Sequence, residues 1–269
     1  MSVNMDSNVM ARVGRPLASV LHFVGLPVVL VLLWWVTTRD GSNFFVPQPG
    51  PLLDAFVEVW TGEGFARDVL PSLRRLLTAL AISVVLGIGL GVLIGSVDWV
   101  RHLLTPVLEF IRAVPSTIII PVLLILVGIN DTMKVTLIVL GCVFPLLLNT
   151  VKGVASIDQV QLDTGRVYGL TGLARLRHLV LPAAAPQIFA GIRQSLAVGL
   201  VLMVTSEMFA STDGIGYATI NFQNRIAIPE MWSGIVLLGL VGVLLSVLFQ
   251  IVQKRVLGWY EGLKESTND

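Results

Sequence analysis

The feature that most limits what this chain can fold into is the length of its apolar runs. Six stretches, Leu17–Val36, Leu73–Val97, Leu103–Val127, Val135–Val151, Ala183–Ala210 and Met231–Val252, carry very few charges, and their hydrophobic residues do not alternate. A span of about 20 apolar residues crosses the hydrocarbon core of a bilayer as an α-helix, whereas barrel strands alternate and are shorter. Only 13% of the 269 residues are charged, against about 25% in a soluble domain. The expected fold is therefore all-α: a polytopic membrane protein with six transmembrane helices. Residues 1–16 and 258–269 form polar tails around a membrane domain spanning 17–257. Arg12 and Arg15 before the first run resemble the start of a signal peptide, but that run is too long and lacks a small-residue cleavage site. It is expected to be retained.

The net charge of +1 gives no reason to expect a nucleic-acid partner. The single cysteine, Cys142, lies in an apolar run and reads as a packing residue. His22, His102 and His178 have no ligand spacing, so no metal site is expected. No Gly-Lys-Ser/Thr occurs, so the chain has no Walker A loop of its own. Gly87, Gly91 and Gly95 repeat every four residues and read as a packing groove on the second span. Between the first two spans, Pro47, Pro49 and Pro51 stiffen an extended approach. Leu52, Leu53, Phe56, Val57 and Trp60 then recur at helical spacing. That amphipathic helix either packs on the ends of the spans or offers a docking surface.

One long polar interruption, Val151 to Pro186, separates the fourth and fifth runs. Ser156 and Gln159 have capping-box spacing, so a helix is expected to start at Ile157. Gly169 can end it in a left-handed cap, and Thr171 can cap a second helix that Pro182 stops. Within this stretch Gly169 is followed by nine residues and then Leu179, Val180, Leu181 and Pro182. The spacing resembles the loop of ABC importer permeases, in which Glu-Ala-Ala precedes Gly by three residues and an Ile-x-Leu-Pro follows nine later. Asp163-Thr164-Gly165 stands here in place of Glu-Ala-Ala, keeping a carboxylate but weakening the helix.

The resemblance extends to the nitrate, sulfonate, taurine and bicarbonate group of these permeases, across about residues 45 to 220. It is carried by Pro106, Glu109, Arg112, Pro115, Pro121 and Gly128, and by Asn149, Thr150, Gly153 and Asp158 before the loop. Pro186, Gly191, Arg193, Glu207 and Gly214-Ile215-Gly216-Tyr217 follow it. It implies a type I importer permease in a bacterial inner membrane. Two copies, expected as a homodimer, would pair around a translocation path. Two ATP-binding subunits, which would hold ATP and Mg, would dock below, and an extracytoplasmic substrate-binding protein would deliver a small solute such as a sulfonate or nitrate. No cofactor is expected on this chain, and it is expected not to be an enzyme.

With the N-terminus inside, inner segments carry ten Lys and Arg (Arg12, Arg15, Arg101, Lys152, Arg166, Arg175, Arg177, Lys254, Arg255, Lys264). Outer segments carry six (Arg39, Arg67, Arg74, Arg75, Lys134, Arg225), so both termini and the two-helix loop are expected in the cytoplasm. A permease without a nucleotide site must receive work through a rigid element. The residues expected to contact the ATPase are Ile157, Val160, Gln161, Asp163, Thr164, Tyr168 and Gly169, with Leu181 and Pro182 passing the displacement to the fifth span. Glu109, Arg112, Arg193 and Glu207 are charges lying well inside spans, away from the run ends where Arg74 and Arg75 stand. They either line the path and tolerate anions or brace helices. Gly214, Gly216 and Tyr217 form an outer turn that reads equally as a gate or a simple reversal. A self-contained secondary transporter or channel is the competing reading, but no internal repeat supports it and the polar loop would have no role. A membrane-embedded enzyme would need a histidine near Ser72, Ser83 or Ser206, and none is near in sequence.

Overall fold

The computed structural model describes residues 25–41 and 44–268, so the expected N-terminal tail and residues 17–24 of the first span lie outside the described residues. The described secondary structure is helical. Helix α1 covers Gly25–Thr38, and α2 covers Pro49–Trp60 with a proline in its first turn. A single wide π turn, Phe65–Val69, leads into α3, Leu70–Gly95. Then come α4, Asp98–Ala113; α5, Ile120–Val127; α6, Asp131–Ala155; α7, Gln159–Val167; and α8, Gly172–Arg175. The chain closes with α9, Leu181–Phe209; α10, Ile215–Asn224; and α11, Ile228–Asn268. The segment expected as a C-terminal tail thus begins as a continuation of α11.

Helix α6 is the axis of the fold and packs most extensively on α9 and α3. Its start is fixed by Asn130, whose side chain accepts from the Met133 N–H at 2.9 Å. The groove read from the glycine repeat is occupied. A methyl group built on Gly87 would lie 2.8 Å from Leu146, on Gly91 2.5 Å from Thr150, and on Gly95 2.8 Å from Val154. Three glycines of α3 therefore receive three residues of α6 at the same four-residue spacing. In a membrane, where helices gain no hydrophobic drive from association, such close backbone approach supplies the packing. The core between these helices is formed by Leu76, Ala79, Ile138, Cys142 and Met203. The Cys142 thiol donates to the Ser195 carbonyl at 3.2 Å, and Ser195 Oγ donates back to the Cys142 carbonyl at 2.7 Å.

Helix α2 packs on α11 rather than standing free. Trp60, 3% exposed, donates from Nε1 to Ser233 Oγ at 2.9 Å and meets Phe222 edge-on. Its opposite face, with Leu53 and Val57, is exposed.

Two expectations are corrected. The third run is not one straight span: Asp98–Ala113 and Ser116–Val127 are bent by 76°. Val114 is extended, with ψ 120°, because the following proline excludes the helical region. Pro121 then sits harmlessly in the first turn of α5. Conversely, Pro182 does not stop the second loop helix. Residues Gly172–Phe209 form one continuous helix of 38 residues. A π turn at Leu176–Val180, closed by Leu181 N–H to Leu176 O, brings Pro182 into a turn where its missing N–H is tolerated.

Among the described residues, four helices are long and apolar enough to cross a membrane: Phe65–Gly95, Asp131–Ala155, Gly172–Phe209 and Ile228–Tyr260. The bent pair makes a fifth if counted as one span.

Candidate functional site

Three features are arranged along the bundle: a polar loop at one end, a cavity beside the bent span, and an ionic cluster at the other end. Helix α6, with 25 residues, separates loop from cluster by about 36 Å at about 1.5 Å per residue.

At the loop end, Ser156 closes α6, and the N-cap of α7 is Asp158, whose carboxylate accepts from Val160 N–H at 2.8 Å. The expected Ser156 cap is displaced because Asp158 lies closer and carries the charge that a helix N-terminus favours. Gly169 takes φ +68°, and Leu170 N–H returns to the Gly165 carbonyl at 2.9 Å, the left-handed ending expected there. Gly165 is buried, and a methyl on it would approach Leu179 to 3.1 Å. Thus α7 folds back onto the π turn, with Gly165 at the contact.

The expected contact residues divide. Val160, Gln161, Asp163, Thr164, Tyr168 and Gly169 are exposed. Ile157 is not part of that face: it precedes α7 and packs inward against the cluster of Leu146, Val154, Val180 and Ala184. Leu181 joins the same cluster, and Pro182 is half-buried. Val167, 86% exposed, completes the outward apolar surface with Tyr168 and Val160. Asp163 accepts from Arg166 at 2.7 Å and from Gln159 at 3.1 Å, so its carboxylate stiffens α7 while remaining open to a further donor.

Beside the bend lies a cavity of about 590 Å³ whose polar lining comes from Arg112, Ser116 and Gln194. Arg112 and Glu109 pair at 3.2 Å, both partly exposed, on a helix with no buried residue. Arg193 is elsewhere: it is exposed, donates to Gln253 at 3.0 Å and lies over the Phe249 ring. The four charges expected along a path are therefore not brought together.

Glu207 has the surroundings of the bracing alternative. Its side chain is completely buried. Ser72 Oγ lies 2.7 and 2.8 Å from its two oxygens, Arg75 Nη1 donates at 3.0 Å, and Gly216 N–H donates at 3.0 Å. A carboxylate so enclosed braces the fold in this state and does not line an open path. Arg75, 3% exposed, is the hub that sequence reasoning placed in an outer segment. It also holds Asp131 at 2.6 Å, across on α6, and the Asp213 carboxylate. Asp68 accepts from Gly214 N–H, and Ser72 Oγ accepts from Ile215 N–H. The expected outer-gate residues are thus built into this cluster. Gly214, φ +110°, caps α10, and a methyl on it would lie 2.4 Å from the Glu207 carboxyl carbon. Tyr217 is half-buried in the first turn of α10.

An apolar helical bundle with a polar two-helix loop at one end is the architecture of a polytopic membrane protein. Residues 83–258 match the family described as binding-protein-dependent transport system inner membrane component, and the chain belongs to that family. It is 30% identical to the taurine transport system permease protein TauC of Escherichia coli, over 88% of this chain and 89% of that one. It is 31% identical to the putative aliphatic sulfonates transport permease protein SsuC of the same organism, over 90% and 94%. In fold it resembles a chain of the inward-facing MetNI methionine ABC transporter, with a TM-score of 0.60 over 71% of this chain and 95% of that one, at 18% identity. The protein is an ABC transporter permease.

Proposed function

We propose that the chain is the translocating subunit of an ATP-driven importer for a small sulfonate-type anion. The relatives named for taurine and aliphatic sulfonates support that substrate class. In this reading the chain crosses the bacterial inner membrane six times with both termini in the cytoplasm. It pairs with a second copy of itself, and ATP with Mg is bound by two separate ATP-binding subunits. A substrate-binding protein delivers the solute at the opposite face, where the turn from Asp213 to Tyr217 closes the path. Arg112 and the cavity beside the bend form this copy's share of that path.

The observation that carries the proposal is the covalent continuity of the loop with the membrane core. Helix α7 presents Val160, Val167 and Tyr168 outward, and the chain passes from Gly169 into a single helix ending at Phe209 beside the ionic cluster. A push on α7 therefore travels along one rigid element to the far side of the bundle.

Gly169→Pro tests it. Proline locks φ near about −65°, whereas Gly169 has φ +68° and its N–H donates to the Arg166 carbonyl. The substitution changes the angle between α7 and α8 without touching the buried bundle. Reconstituted complexes carrying it are expected to assemble and hydrolyse ATP but to lose uptake and stimulation by the loaded binding protein. Normal uptake would overturn the coupling role.

A further inference from the structure

A cavity of about 520 Å³ lies between the loop and the ends of the spans, and nothing in the coupling mechanism uses it. Its lining includes three arginines, Arg101 of α4, Arg166 of α7 and Arg175 of α8, and one acid, Asp98. Arg101 is held by Asp98 at 2.9 Å and by the Gly95 carbonyl at 3.3 Å. Arg166 is held by Asp163, which lies off the lining. Among the described residues the Arg175 side chain has no hydrogen-bond or ion-pair partner, although the residue lines the cavity.

With Arg101 and Arg166 each paired to an acid, the Arg175 guanidinium is the unneutralised cation of a polar recess that two further guanidinium groups also line. Planar guanidinium groups match phosphate oxygens in bidentate fashion. The depth of the site adds a second observation. Trp99, in the first turn of α4 beside Asp98, is 70% exposed, and an exposed tryptophan at the end of a span marks headgroup level. We infer that this cavity binds a phosphate-bearing anion at the loop end of the bundle, either an anionic lipid headgroup or a free phosphate-type ion. An occupant held by both α4 and α8 would tie the lever to the bent span. Only the assignment to the cytoplasmic leaflet rests on the importer reading; binding itself does not.

The intact permease–ATPase complex is the material for the test. Arg101→Gln/Arg175→Gln is compared with Arg101→Lys/Arg175→Lys and with wild type. Retention of phosphatidylglycerol is read by native mass spectrometry, and binding of inorganic pyrophosphate by calorimetry. Each lost cation is expected to weaken lipid binding about fivefold, and the lysine pair is expected to recover most of it. Loss of pyrophosphate binding alone supports the same site with a soluble occupant. Equal binding of both probes by wild type and the glutamine variant overturns the inference. Should that variant fail to assemble, Arg175→Gln alone decides, because an exposed side chain without a partner contributes nothing to the fold. Since the readout is binding, failed transport coupling and an unoccupied cavity give different results.

Discussion

Glu207 and Arg75 link elements that are far apart in sequence: the start of α3, the start of α6, the end of α9 and the turn before α10. Buried charges are costly to desolvate, and removing one partner strands the other. Glu207→Gln keeps the shape of the side chain, but its amide nitrogen must then face Ser72, Arg75 or Gly216, two of which offer only N–H donors. The expected destabilisation is about 3–5 kcal/mol, the range for breaking a buried pair. Joint replacement of Arg75 and Glu207 by leucine is expected to cost less than the sum of the single replacements. Thermal unfolding of the four members of this cycle checks it, and additive effects would show that the two side chains act separately. The cluster was only half legible in sequence. Glu207 drew notice as an acid within an apolar run, whereas Arg75 stands where a positive charge flanking a span is ordinary. Its partners lie 56, 132 and 138 residues away, a distance that no local pattern reports.

At the scale of the element, the glycine repeat of α3 gives the sharpest contrast. Gly91 and Gly89 lie on the same helix, and alanine improves helix propensity at either position by about 1 kcal/mol. A methyl on Gly91 would meet the Thr150 Cβ at 2.5 Å and the Leu147 carbonyl at 3.0 Å, whereas Gly89 faces open space. Backbone and Cβ atoms do not yield as a side-chain terminus does. Gly91→Ala is therefore expected to destabilise by about 1–3 kcal/mol, and Gly89→Ala to be neutral or stabilising. Melting in the same detergent compares them; equal midpoints would mean that the groove is not a tight contact. The repeat was legible because close packing in a membrane requires small residues at a fixed period. The ends of the loop helices were less so. Asp158 outcompetes Ser156 as a cap through a local charge, and the π turn before Pro182 lets a helix continue where proline suggests a stop. Both depend on backbone geometry that residue type alone does not determine.

For the molecule as a whole, the unburied surfaces carry the remaining argument. Helix α4 buries nothing, and the bend at Val114–Pro115 opens the cavity toward Ser116 and Gln194. Hydropathy saw one span here because it averages across the proline break. If this cavity is part of an aqueous path, thiols placed in it will ionise and react, whereas thiols facing hydrocarbon will not. The chain has a single cysteine, Cys142, which is fully buried, and Cys142→Ser preserves a donor toward the Ser195 carbonyl. In that background Ser116→Cys and Gln194→Cys are expected to react with a membrane-impermeant thiol reagent in the nucleotide-free complex. Ile125→Cys, on the far arm of the same bent pair and 86% exposed as an apolar residue, is expected to remain unlabelled. Trapping the ATPase subunits with a nucleotide analogue should change the rate at 116 and 194 but not at 125, because only the former lie between elements that the lever moves. Labelling at 125 with protection at 116 and 194 would place the water-filled route on the opposite face of the bend.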